Sequence, residues 1–415
     1  MLENYFKITW KVLGRNKFFT FVSLFGITFT IGILLVLTTF YDNMLGPGYP
    51  EVNRSRTLLL NMVSLHTEDY SSNKMNPVGL HFIEKYIKHL QSPEVISFAS
   101  IGEETTTFVG DKKLSLYLKH TDANFWKTNQ FEFTEGLPYN ELQVEQSQQV
   151  AIITETTRKD YFGEESEVIG KRLETGNKTY TVIGVVKDVP GNFVYSYGDM
   201  YVPYTIKNLD ITEVSFTGDF IVALQAAKGA DFDKIREEMD HLVSRIQIPA
   251  DWQYTKLNAR PMTLMETIST AFSRYDDEPP VTALTIGLFV AMFLFMLLPA
   301  MNLINLNSSR ILERASEIGV RKAFGASSKT LATQFIIENV ILTLLGGIFG
   351  FIFSVLILNW VESLELIPHA HLYFDYKVFF VAVALCVFFG VLSGVLPALR
   401  MSKIHIVHAL KGQNL

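Results

Sequence analysis

Metal chemistry needs His, Cys, Asp or Glu at short, repeated spacing, and His369 and His371 alternate in the sequence. Two ligands at i, i+2 without a third nearby read as loop residues rather than a metal site. His66, His81, His89, His120 and His241 are scattered and lack thiols or carboxylates at ligand spacing. Nucleophile chemistry is no better supported, since no G-x-S-x-G elbow occurs. Nucleotide hydrolysis would need G-x-x-x-x-G-K-S/T, and the nearest strings, GKRLETGNKTY and GVRKAFGAS, lack that order. The single cysteine, Cys386, lies in an apolar run, so no intrachain disulfide forms. The expectation is a chain with no catalytic residue, metal or cofactor of its own, and no ATPase activity by itself.

Charge concentrates instead in residues 302–329, NLINLNSSRILERASEIGVRKAFGASSK, a stretch too polar to remain in lipid. Glu313 and Glu317 stand at helical spacing to Arg321. The pattern reads as a helix leaving the membrane, a short helix over about 315–324, and a turn back at Gly325-Ala326. Its basic residues alone justify no more than a positive inner loop. Glu338, just inside the next apolar run, is costly in lipid unless paired, so a basic or hydroxyl partner is expected.

Four apolar runs would position these residues: 18–40, 281–305, 335–360 and 378–399. The first has no charge over 23 residues, about 35 Å as a helix against a hydrocarbon core of roughly 30 Å. It exceeds a signal core, and no small-residue cleavage site follows before YDNMLGPG, so an anchor is expected. Lys7, Lys11, Arg15 and Lys17 precede the first run; Arg310, Arg314, Arg321, Lys322 and Lys329 lie between the second and third; Arg400, Lys403 and Lys411 follow the fourth. The 361–377 loop has only Lys377 against Glu362, Glu365 and Asp375. Positive flanks face the cytoplasm, which places both termini inside and residues 41–280 outside. Charge balance agrees: residues 41–280 hold 23 Lys and Arg against 35 Asp and Glu, while the remainder is net positive. Hydrophobic residues at 48% and charged residues at 19% suit a part-membrane chain. Gly346 and Gly350 in the third run, and Gly390 and Gly394 in the fourth, give G-x-x-x-G. The first expectation is packing within this chain's own bundle, with a subunit interface as the other reading.

Residues 41–280 read as mixed α/β. A β-rich run at 56–64 precedes helical spacing of Leu80, Ile83, Ile87 and Leu90 within 77–91. Strands are predicted near 105–109, 114–118 and 150–154, then a helix at 155–162, a buried strand at 179–186 (TYTVIGVV) and an amphipathic helix at 232–246. The fold class is therefore membrane α-helical, with four transmembrane helices and a large mixed α/β periplasmic domain inserted between the first and second. The domains are a cytoplasmic N-terminal segment (1–17), spans at 18–40, 281–305, 335–360 and 378–399, the periplasmic domain (41–280), a polar cytoplasmic region (306–334), a short periplasmic loop (361–377) and a cytoplasmic tail (400–415).

The string EIGVRKAFGAS, residues 317–327, resembles the cytoplasmic coupling segment of MacB/FtsX-type ABC transporter permeases. ENYFKITWKVLGRNKFFTFVSLF resembles that family's inner amphipathic helix and first span. QVAIITETTRKDYFG, VIGKRL, YTVIGVVKDVPGNF and MYVP resemble its periplasmic core domain, and PALRMSKIHIVHALKG its tail. Residues 204–280 match more loosely, and Ile406 stands where many relatives have proline.

The resemblance implies a cytoplasmic amphipathic helix for 1–17 and a cytoplasmic coupling region for 306–334. It implies a permease subunit that couples ATP hydrolysis by a separate ATPase dimer, which holds the ATP and Mg, to movement of a periplasmic domain. It assigns docking on the ATPase to Glu317, Ile318, Gly319, Arg321, Lys322, Gly325 and Ala326, and a family position to Glu338 at the inner interface. It also implies a second permease subunit, identical or paralogous. A periplasmic adaptor and outer-membrane channel are further candidate partners, beside the lipid bilayer and without nucleic acid. Export of a drug, peptide or other substrate from the periplasm or outer leaflet is the first expectation. Lipoprotein release and FtsX-like regulation of a cell-wall hydrolase are the alternatives.

Overall fold

The computed structural model describes residues 14, 17–164, 167–207, 209, 212–229, 231–270, 279–291, 293–294, 297, 301, 320, 323–325, 327–364, 366, 368–369, 380, 384, 387–388, 391 and 395. The chain forms a helical unit (Met1–Asn43, Thr282–Leu366, Leu372–Leu415) and an α/β unit (Met44–Val281, Ile367–His371). Helices are α1 (Lys17–Leu45), α2 (Leu80–Lys85), α3 (Phe125–Thr128), α4 (Glu141–Glu145), α5 (Glu155–Phe162), α6 (Phe232–Arg245), α7 (Leu264–Ser269), α8 (Val281–Ala291) and α9 (Ser328–Ser363). Strands are β1 (Thr57–Leu60), β2 (Val63–His66), β3 (Asn73–Asn76), β4 (Val95–Ser100), β5 (Glu103–Val109), β6 (Lys112–Thr121), β7 (Phe133–Gly136), β8 (Val150–Thr154), β9 (Arg172–Thr175), β10 (Lys178–Val186), β11 (Met200–Pro203), β12 (Phe220–Gln225) and β13 (Lys256–Asn258).

Ten strands make one mixed sheet in the order β1-β12-β4-β6-β11-β8-β10-β7, with β5 on β6 and β9 on β10; β13-β2-β3 form a second sheet. Parallel pairing is confined to β8 with β10 and β6 with β11. The central strands β8, β11 and β12 are buried along their whole length, as strands covered on both faces must be. Their alternate residues feed different cores, because successive side chains leave opposite faces. Ala151, Ile153, Met200 and Val202 enter one cluster with Tyr161 and Phe162 of α5. Phe220, Val222 and Leu224 enter another with α2 and α6 residues such as Phe82 and Ile235. The intervening residues Ile152, Tyr201, Ile221 and Ala223 share a third cluster with Phe125 and Tyr139. Two lobes on one face thus rest on a single common layer on the other.

Helix α5 and strands β8 and β10 lie where the apolar pattern predicts them. Two expectations differ. Residues 77–91 do not make one helix: Tyr86 (φ −126°, ψ −57°) breaks the path between α2 and a 3-10 turn at Ile87–His89, and both Tyr86 and Leu90 pack on the same core. The β-rich run at 56–64 becomes two strands in different sheets, β1 pairing with β12 and β2 with β3 and β13. Each side of the break finds its own hydrogen-bonding partners, which a local β propensity does not specify.

In the helical unit, Thr20–Leu45 and Ile336–Ser363 are long and apolar enough to cross a membrane, and Val281–Ala291 is a shorter apolar helix. The expected second span is described continuously only to residue 291, and the expected fourth lies mostly outside the described residues.

Candidate functional site

Helices α1 and α9 meet through glycines. A Cβ on Gly346 would stand 2.5 Å from Ile27 Cγ2, and one on Gly350 3.0 Å from the Thr28 carbonyl and 3.2 Å from the Gly32 amide nitrogen. Gly32 is reciprocal: a Cβ there would meet Phe353 at 2.5 Å and the Gly350 carbonyl at 3.1 Å. Thr28 Oγ1 lies 3.4 Å from the Gly346 carbonyl oxygen, at the outer limit of a hydrogen bond. Removal of side chains lets two backbones approach, the route open to helices that gain no hydrophobic energy from leaving lipid. Ile27 and Leu342 are buried together at this seam. Gly390 and Gly394 lie outside the described residues.

At the start of α9 the chain turns sharply. The Phe324 amide donates to the Val320 carbonyl at 3.0 Å, closing a helical turn. Gly325 then adopts φ +89°, a conformation that favours glycine. Ser327 caps α9 by accepting from the Thr330 amide at 3.1 Å. Phe324, beside the turn, is 89% exposed. Of the predicted docking residues only Gly325 is described; Glu317, Ile318, Gly319, Arg321, Lys322 and Ala326 lie outside the described residues. Glu338 is buried within α9, on a polar stretch with buried Asn339 and Thr343, where Thr343 Oγ1 donates to the Asn339 carbonyl at 2.8 Å.

The α/β unit holds a polar cluster that sequence reasoning misses. Arg54 Nη1 donates to the Met44 carbonyl at 2.9 Å and to the Gly46 carbonyl at 3.3 Å, satisfying acceptors that the end of α1 leaves open. Its Nε donates to Glu51 Oε2 at 3.0 Å, and the guanidinium lies 4.2 Å from the Phe193 ring centroid. Glu51 Oε1 in turn accepts from Ser196 Oγ at 2.8 Å and from the Ser196 amide at 3.2 Å. Lys119, fully buried on β6, donates to the Val194 and Tyr195 carbonyls, both at 2.8 Å. Burial without a directly bonded carboxylate pushes its pKa down to about 7. Nearby on the chain, burial raises Asp122 to about 7 although its Oδ1 accepts from the Phe98 and Phe125 amides. Burial likewise lowers His120 to about 4. No local motif marks Glu51 and Ser196, which lie 145 residues apart; the turn-forming Pro-Gly of VPGNFVYSY is the one hint that this loop is specialised.

Among the described residues no group of three His, Cys, Asp or Glu could hold a metal ion. His369 stands at φ +53° in the α/β unit, and His371 lies outside the described residues. The described geometry thus offers helix packing and polar clamping rather than a catalytic constellation.

Residues 20–242 match the MacB-like periplasmic core domain, more than half of the chain, and residues 289–406 match the FtsX-like permease C-terminal domain. The chain is 24% identical to the uncharacterized ABC transporter permease YknZ of Bacillus subtilis over 418 residues, spanning 99% of both chains. It is 21% identical to the macrolide export ATP-binding/permease protein MacB of Salmonella typhimurium, covering 97% of this chain and 60% of that protein. Pyoverdine export ATP-binding/permease protein PvdT of Pseudomonas fluorescens is 23% identical, with 97% and 58% covered. The chain therefore spans about 60% of the length of these two longer relatives. Among solved structures, the periplasmic region of MacB from Actinobacillus actinomycetemcomitans aligns at TM-score 0.36 and 18% identity, over 46% of this chain and 84% of that one. The extracellular domain of YknZ aligns at TM-score 0.36 and 15% identity, over 48% and 100%. With both of its halves matched in order, the chain belongs to the MacB/FtsX family of ABC transporter permeases.

Proposed function

We propose that this chain is the permease subunit of an exporter in the bacterial inner membrane, coupling ATP hydrolysis by a separate ATPase dimer to movement of its α/β unit. The observation that carries this reading is the likeness of 99% of the chain to 99% of a permease, in a sequence without a phosphate-binding loop. ATP and Mg would be bound by the ATPase. Four spans are read from the apolar runs, and both termini inside with the α/β unit outside from the Lys and Arg distribution. A second permease copy, identical or paralogous, would complete the assembly, with an adaptor and outer-membrane channel as further partners. The relatives named for macrolide and pyoverdine export favour a drug, peptide or other small substrate over lipoprotein release or regulation.

Docking is assigned to Glu317, Ile318, Gly319, Arg321, Lys322, Gly325 and Ala326, and Phe324 is added to them. Its ring is exposed beside a turn that glycine alone accommodates easily, the geometry of an aromatic anchor for a partner groove. Glu338 is assigned to the inner interface. Pull-down of the full chain from membranes in mild detergent should recover an ABC ATPase. Glu317→Ala with Arg321→Ala, and separately Phe324→Ala, should each lower that recovery about tenfold or more. Undiminished recovery with both variants would overturn the docking assignment, and recovery of no ATPase by the wild-type chain would overturn the coupling reading.

A further inference from the structure

The loop joining β10 to β11 receives contacts from two other connections of the chain. From the side of α1, Ser196 is held by Glu51, and Glu51 by Arg54, which also binds the Met44 and Gly46 carbonyls. Phe193 of the loop lies under the Arg54 guanidinium and against Gly48, where a Cβ would come within 2.7 Å of the ring. From another side, the Pro368 carbonyl accepts from the Gly191 amide at 2.8 Å, and a Cβ on Gly191 would stand 3.0 Å from the Pro368 ring. The loop is then fastened to the sheet. Lys119 binds the Val194 and Tyr195 carbonyls, Tyr201 Oη donates to the Ser196 carbonyl at 2.8 Å, and Tyr195 Oη pairs with Ser97 Oγ at 2.8 Å.

We propose that the 190–198 loop is a relay that passes displacement of the α1 end and of Pro368 to the central strands, with Arg54 as its positioning residue. The inference rests on the coupling function proposed above and names the residues through which the α/β unit would feel it. Its physical basis is stiffness. A half-buried loop held only by its own backbone would yield under a small displacement, because such loops open at low free-energy cost. This one is tied at Gly191, Phe193, Val194, Tyr195 and Ser196, and three of those ties use the buried ionisable side chains Lys119 and Glu51. Breaking a buried hydrogen bond leaves the partner unsatisfied and is disfavoured, so displacement is transferred instead of absorbed. The strands that receive it, β10 and β11, flank β8 at the middle of the sheet.

The test is hydrogen–deuterium exchange on the full chain with its co-purified ATPase in lipid nanodiscs, nucleotide-free and trapped with ATP and vanadate. In the wild type, exchange of peptides covering 190–198 should differ between the two states by about tenfold. Arg54→Met should keep ATP hydrolysis within about twofold of wild type while abolishing that nucleotide-dependent difference; Arg54→Lys, which retains the charge, should restore part of it. A structural role alone would shift exchange equally in both states and leave the difference intact, and that result would overturn the relay. Ser196→Ala, which removes only a hydroxyl donor, provides the same comparison if Arg54→Met does not fold; a full nucleotide response in it would overturn the relay equally. A wild-type complex that hydrolyses ATP with no exchange change anywhere in 44–281 would instead sink the coupling function, and the relay with it.

Discussion

In the helical unit, Gly32, Gly346 and Gly350 bring two helices together by having no side chain; in the α/β unit, Arg54, Glu51 and Ser196 bring two loops together with charged and polar ones. The difference follows from the surroundings. Lipid supplies no hydrophobic force between helices, so close backbone approach and van der Waals contact must do the work. In the α/β unit, apolar burial comes from the sheet cores, and buried polar groups add direction. Each Arg54 hydrogen bond points to one acceptor, and the loop has one seating that satisfies all of them. Shape fixes the first contact and hydrogen-bond direction fixes the second.

The contrast breaks most sharply at Gly346. Gly346→Leu places a side chain into Ile27 and should cost more than about 3 kcal/mol, read as loss of a monodisperse peak on size exclusion in detergent. Gly287→Leu, with open space around the glycine, should leave the peak unchanged. Equal behaviour of the two variants would remove the glycine half of the comparison.

Lys119→Met tests the other half by removing a buried amine and its two hydrogen bonds. The Val194 and Tyr195 carbonyls lose their donor, and thermal unfolding of the full chain should show a loss of about 1–3 kcal/mol near pH 9. The pH dependence has a definite sign. The folded pKa is depressed to about 7, so the unfolded chain binds more protons between pH 7 and about 10. This group therefore makes wild-type stability rise with pH across that window, and Lys119→Met should flatten the rise.

Asp122→Asn is a smaller effect of opposite slope. Its raised pKa, about 7, makes the folded chain bind more protons between about pH 4 and 7, so its contribution falls as pH rises through that range. An asparagine oxygen still accepts from the Phe98 and Phe125 amides. The variant should be more stable than wild type at pH 8 and level with it at pH 4; a destabilised variant at pH 8 would show that the carboxylate charge itself is needed. Smallest is Ser327→Ala, which removes the cap of α9 and should cost about 0.5–1 kcal/mol, visible as a slight fall in melting temperature.

Much of the chain is legible where structure depends on near neighbours. The apolar run TYTVIGVV anticipates β10, and the segment after Thr154 anticipates α5, whose cap by Thr154 only the structure reveals. Residues 77–91 were less legible, because the pull of Tyr86 and Leu90 into one core outweighs helical spacing. Gly325 was marked as a turn by the sequence, whereas the exposure of Phe324 depends on what surrounds it.

From the sequence alone come the long apolar runs, the charge asymmetry that orients them, the mixed α/β character between them and the family likeness. All are local or compositional properties, carried by residue types in short windows. Tertiary structure decides that Gly346 and Gly350 face Ile27, Thr28 and Gly32, and that Glu51 meets Ser196 across 145 residues of chain. A glycine has the same composition whatever it packs against, and a buried carboxylate finds its donor only when distant segments have closed on one another. The closure is a property of the whole fold, because the entropy of joining such distant segments is recovered only through the cores that hold them together.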